Sequence, residues 1–171
     1  MTRLGWLVLA TCVVVAGCDD SGTGPSNAPI VLTTLLSPAN EVPPVVTAGP
    51  DARGAVQITM SPTRDSSGAI TAATADFHIQ VAGMPEGTVF VGAHIHPGAA
   101  GVNGPVVVNS TLSSGTLPTM SNGAAIWDFR GISVPPALAQ QLAENPSGFY
   151  FNVHTLVNPG GVARGQLERT Q

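Results

Sequence analysis

Two short stretches hold the residue types best suited to chemistry. Ala93-His94-Ile95-His96-Pro97-Gly98 sets two imidazoles at alternate positions, and Phe151-Asn152-Val153-His154-Thr155 supplies a third much later in the chain. Alternate side chains of a β-strand project to one face, so a strand through 94–96 presents both rings together. Three neutral imidazoles can ligate Zn²⁺ or Cu²⁺ and leave one position for water or substrate. The same rings can instead hydrogen-bond neighbouring loops, such as 97–104, and fix their shape. Both readings of His94, His96 and His154 stay open at the level of sequence. His78 reads as an exposed strand residue rather than an extra ligand.

Other polar residues are candidates for supporting roles. Glu41 and Arg164 are lone charges in Gly/Pro-rich surroundings, and a bidentate pair between them would join the first and last strands. Arg164 could otherwise guide an anion towards the metal; the structural role is preferred. Asn152 and Asn158 are expected to satisfy loop backbone groups, and Gly160 and Gly161 to supply positive φ in a tight turn. If the segment between Val81 and Thr88 is a hairpin connection, Asp76 falls opposite His94, where a carboxylate would orient the ring. No serine or threonine sits in a nucleophile elbow and no glycine-rich phosphate loop precedes a helix. The only paired carboxylates are Asp19-Asp20, so no catalytic residue is assigned.

The elements that must position these residues read as short strands. The candidates are 30–36, 54–60, 72–81, 88–96, 105–110, 124–129, 148–154 and 162–168, separated by clusters of Gly, Pro, Asn, Asp and Ser. One helix is expected over 135–144, opened by Pro135-Pro136 and stopped by Asn145-Pro146. Period-two alternation turns Phe77, Ile79 and Val81 inward against Asp76, His78 and Gln80. It does the same for Val89, Val91, Ala93 and Ile95 against Phe90, Gly92, His94 and His96, and for Phe149, Phe151 and Val153 against Tyr150, Asn152 and His154. All four histidines of the chain thus fall on faces away from the core, read as the solvent side. Trp127 and Phe129 share a face and read as core. Eight or so strands and one short helix predict an all-β, antiparallel Greek-key β-sandwich.

Only 9% of the 171 residues are charged, none is lysine, and the net charge is -4. With no basic cluster, nucleic acid is excluded as an expected partner. Met1-Thr2-Arg3 and the apolar run to Ala16 fit an export leader too short to be read as a membrane span. The run ends Val15-Ala16-Gly17-Cys18, which is similar to the bacterial lipoprotein signal. That resemblance implies cleavage before Cys18, acylation of its thiol, and a membrane lipid as partner. The expected organisation is a signal peptide over 1–17, lipidated Cys18 with a flexible tether to 29, and one domain over 30–171. Cys12 and Cys18 are the only cysteines, so the exported domain has no disulfide.

Five ordered motifs resemble one family: Asn40-Glu41-Val42-Pro43-Pro44; Ala93 to Gly98; Asn103-Gly104-Pro105-Val106-Val107; Tyr150 to Thr155; and Asn158-Pro159-Gly160-Gly161 through Arg164-Gly165-Gln166-Leu167. They are similar to the CHRD domain, named after its repeats in chordin and found alone in many bacterial exported proteins. The resemblance implies an exported all-β domain with an immunoglobulin-like or dismutase-like sandwich. It supports a binding or structural module of the cell envelope, facing periplasm or exterior, with an unidentified protein or small-molecule ligand and no assigned enzymatic activity. A weaker resemblance runs to copper–zinc superoxide dismutase. It implies copper ligation by His94, His96 and His154 and an anion-guiding Arg164, but that family's bridging ligand, zinc site and disulfide cysteines are missing.

Overall fold

The computed structural model describes residues 25–47, 49–111 and 124–171. The expected leader, Cys18, most of the expected tether and the expected turn over 113–123 lie outside the described residues. Among the described residues no helix is long and apolar enough to cross a membrane.

The expected sandwich is present. One sheet contains β1 (Ile30–Leu36), β2 (Arg53–Arg64), β3 (Ile70–Ala82), β6 (Ala125–Ser133) and β9 (Glu168–Arg169) in the order β6-β3-β2-β1-β9. The other contains β4 (Phe90–Pro97), β5 (Val108–Asn109), β7 (Phe149–Thr155) and β8 (Ala163–Gln166) in the order β5-β4-β7-β8. All pairs are antiparallel. The chain crosses between sheets from β3 to β4 and again from β6 to β7, while β3 pairs with β6 and β4 with β7. These interlocked crossings are the Greek-key element.

The strand expected over 162–168 is two strands. Leu167 is buried between β8 and β9, and the chain changes sheet there. The strand expected over 105–110 shortens to β5, with Val107 N still bonded to Ile95 O. The helix is α1 (Pro136–Glu144), and it buries Ala139, Leu142 and Ala143 at one end of the core.

Alternation fixes the core as the sequence suggests. Ile58, Phe77 and Ile79 from one sheet meet Ala93, Ile95, Phe151 and Val153 from the other. Phe77 and Phe151 rings lie 6.0 Å apart across the interior. Phe90, expected on the outer face with His94 and His96, is instead buried in the core, because the register of β4 against β7 shifts between Phe90 and Gly92. Trp127 meets it edge-on at 4.6 Å; Phe129 is only half-buried. Each fully buried side chain of this size contributes about 1.5–3 kcal/mol, so the register is strongly specified.

The outer face of the second sheet is not the solvent side that alternation alone suggests. Every residue of β7 is buried. Segments around 38–45, 98–107 and 158–161 fold over that face: Asn103 donates to Val42 O at 2.8 Å, Gly104 N donates to the Tyr150 hydroxyl at 3.2 Å, and His154 Nδ1 lies 3.0 Å from Pro159 O. A bridge between Ser37 and Arg164 ties β1 to β8 across the gap between the sheets.

The expectation for Asp76 is corrected. The connection after β3 crosses to the other sheet instead of turning a hairpin, so Asp76 sits on β3 opposite Thr59 of β2 and accepts from Gly131 N at 2.7 Å. It does not approach His94.

Candidate metal centre

The site is built on three rows of the outer face of β4, β7 and β8. Gly92 pairs with His154; His94 pairs with Asn152, which pairs with Arg164; His96 pairs with Tyr150, which pairs with Gln166. Strand register alone therefore brings the two distant motifs together. One ligand atom from each of His94, His96 and His154 lies within 4.8 Å of the others. The ring centroids are 4.8 Å apart for His94 and His154, 5.7 Å for His94 and His96, and 6.0 Å for His96 and His154. His78 is elsewhere, half-exposed on β3, with Nδ1 2.9 Å from Asp128 Oδ1.

Loop carbonyls orient two of the rings. His96 Nδ1 lies 2.9 Å from Gly104 O, and His154 Nδ1 lies 3.0 Å from Pro159 O. A carbonyl only accepts, so both Nδ1 atoms carry the proton and both Nε2 atoms keep a lone pair. His96 Nε2 is buried without a partner, as is His94 Nδ1. Metal-ligating histidines are typically oriented by this kind of carbonyl contact. The loop-shaping role and the ligand role are thus compatible in the same rings.

Burial keeps the imidazoles neutral. His94 is pushed down to about 4 by desolvation first, then by His154 and His96. His96 and His154 are lowered chiefly by burial as well, partly offset by their carbonyl contacts.

Sequence reasoning missed the packing around the rings. Gly92 lies two residues before His94 on the same face, and the His94 ring folds over it. A Cβ at Gly92 would stand 2.6 Å from His94 Cε1. Tyr150 stacks on His96, with centroids 4.9 Å apart and planes at 3°. Arg164 lies beside them, only 1% exposed, with Cζ 4.2 Å from the Tyr150 ring centre and Nη1 donating to Asn103 Oδ1 at 2.9 Å. The period-two reading put Gly92 and Tyr150 on the correct face but assigned them no role.

The bidentate Glu41–Arg164 pair does not form. Glu41 follows a 3-10 turn at Pro38–Asn40 instead of lying on β1, and the ion pair found among the described residues is His78–Asp128. Glu41 Oε1 and Arg164 Nη2 are both buried without hydrogen-bond partners. Desolvation pushes Glu41 up to about 7, against the opposing influence of Arg164 and the Asn152 amide. Of the turn glycines, Gly161 has φ +131° and Gly160 does not adopt positive φ. A Cβ on Gly161 would come 2.5 Å from Glu41 Oε1 and 2.7 Å from Asn152 Nδ2.

All five sequence motifs converge on this face of the sandwich. A family model for the CHRD domain matches residues 32–167. The chain belongs to the CHRD-domain family. The matched span runs from β1 to the end of β8 and includes every residue of the site. CHRD membership supports a binding or structural module without specifying a reaction. No curated protein and no solved structure matches the chain.

Proposed function

We propose that this CHRD domain is a lipid-anchored binding module of the bacterial cell envelope, and that its outer-face site captures a divalent transition-metal ion on His94, His96 and His154. One observation carries the metal reading: three ligand nitrogens within 4.8 Å of one another, two of the rings held by carbonyls that leave Nε2 unprotonated. Tetrahedral zinc with bonds of about 2.0–2.1 Å places its ligand nitrogens roughly 3.3 Å apart. Small ring rotations close that gap. Nitrogen donors of this softness suit Zn²⁺ and Cu²⁺. The ion would be the ligand, or part of the surface that a protein or small molecule recognises. The anchor reading is supported by the Val15-Ala16-Gly17-Cys18 sequence.

Metal analysis of the purified mature protein tests the site. The expected result is one zinc or copper per chain, lost when His94 and His96 are both replaced by alanine. An untouched metal content in that variant would refute the assignment. Fractionation of cells carrying Cys18→Ser tests the anchor: the protein should leave the membrane fraction, and retention there would refute acylation at Cys18.

A further inference from the structure

We propose that Asn103 is a positioning residue of the metal centre: it fastens the loop 97–104 so that the Gly104 carbonyl holds the His96 ring at the angle the ion needs. The inference rests on the three-histidine reading. It gives a role to a residue that belongs to the motif Asn103-Gly104-Pro105 but carries no chemistry of its own.

Three side chains of the outer face stand in a column. Arg164 Cζ lies 4.2 Å from the Tyr150 ring centre, and the Tyr150 ring lies parallel to that of His96, with planes at 3° and centroids 4.9 Å apart. Asn103 and Gly104 together reach every member of this column. Asn103 Oδ1 accepts from Arg164 Nη1 at 2.9 Å, Gly104 N donates to the Tyr150 hydroxyl at 3.2 Å, and Gly104 O lies 2.9 Å from His96 Nδ1. Stacking sets the plane of the His96 ring but leaves it free to turn within that plane. The carbonyl at Nδ1 fixes that turn, and with it the direction of Nε2 across the ring. One backbone carbonyl therefore aims a ligand atom.

The loop that carries this carbonyl closes tightly on itself. A Cβ at Gly104 would stand 1.8 Å from Pro97 O, so position 104 has no room for a side chain that could tie the loop down. Asn103 supplies the tie. Its Nδ2 donates to Val42 O at 2.8 Å while its Oδ1 takes the guanidinium bond. One end of the amide thus holds the 38–45 segment and the other holds β8. An amide has both a donor and an acceptor for these two tasks; a carboxylate has no donor for Val42 O. The bond from Arg164 is charge-assisted and so among the stronger ones. Asn103 itself is exposed, so truncating it opens no cavity in the core. Its contribution is to orientation, and contacts that orient metal ligands are typically worth 10- to 100-fold in affinity.

Zn²⁺ titration of the full mature chain, run as a double-mutant cycle with His96, tests the assignment. Asn103→Ala should bind Zn²⁺ about 10-fold more weakly than wild type. In the His96→Ala background the ion is left to His94 and His154. There the same change should alter affinity by less than about 2-fold, because a residue that acts through His96 has nothing left to position. Asn103→Asp keeps the acceptor for Arg164 and loses the donor to Val42 O. It should show a smaller loss with the same dependence on His96, and it decides the matter if Asn103→Ala does not fold. An unchanged affinity in these variants, or an equal loss with and without His96, would overturn the Asn103 assignment alone. Failure of wild type to bind Zn²⁺ would overturn the three-histidine reading and this role with it.

Discussion

Gly92→Ala isolates the geometry of the site from the stability of the fold. The new Cβ would stand 2.6 Å from His94 Cε1 and 3.1 Å from Nε2. Ordinary van der Waals contact begins near 3.4 Å, so the ring must retreat by about 0.8 Å at Cε1. The backbone at Gly92 does not have positive φ, and alanine can adopt it. The atom that gives way is the end of a side chain, so the strand pairing with His154 survives. Metal–nitrogen distances tolerate only about ±0.2 Å, well below that displacement. The expected loss in Zn²⁺ or Co²⁺ affinity is about 10- to 100-fold, equivalent to about 1.4–2.7 kcal/mol. Overpacking should cost the metal-free domain no more than about 1–3 kcal/mol. Gly160→Ala is the matched control, because a Cβ there meets nothing within 4 Å. Competition with a chelator gives the affinities, and thermal unfolding of the metal-free proteins gives the stabilities. Equal affinity for Gly92→Ala and wild type would refute the placement of the His94 ring.

Acid titration of the metal-free domain gives a second expectation. Unfolded histidines take up protons below about pH 6.5, whereas folded His94 does so only near 4, so His94 withdraws stability as pH falls through that window. Glu41 acts oppositely: raised from 4.5 to about 7, its contribution is complete below 4.5 and lost as pH rises to 7. The two offset each other between about 4.5 and 6.5, at up to about 1.4 kcal/mol per pH unit for each group. Glu41→Gln should therefore lose stability more steeply than wild type on acidification, and parallel denaturation curves across this range would contradict the assignment. Arg164→Ala should destabilise the domain by about 2–5 kcal/mol, lowering Tm by roughly 4–20 °C, because it removes the hydrogen bond to Asn103 and empties the space over Tyr150. A fall of less than 2 °C by calorimetry would count against that role.

Much of the fold is legible because inward residues recur at period two. Phe77, Ile79 and Val81 define β3, and Phe149, Phe151 and Val153 define β7, without ambiguity. The same periodicity brings His94, His96 and His154 to one face. What it cannot report is the cover over that face. Local alternation distinguishes core from non-core but does not reveal that the Gly/Pro-rich segments around 38–45, 98–107 and 158–161 fold back over the sheet. The near absence of charge from Tyr150 to Thr155 was the available sign of a strand buried on both sides. Asp76 was misplaced for a related reason: the sequence 82–89 suits a tight hairpin and a crossing between sheets equally well. The break at Leu167 left no mark in the pattern, since β8 and β9 continue one apparent run.

Because β7 points Phe151 and Val153 into the interior and Asn152 and His154 into the site, successive residues of one rigid ribbon serve both. A displacement of half an ångström in the packing beneath is delivered to the ligands above with little to absorb it. Tolerance to mutation along this strand should therefore be set by the stricter of two demands at every position. A variant library selected only for durability would also narrow what the three imidazoles can hold.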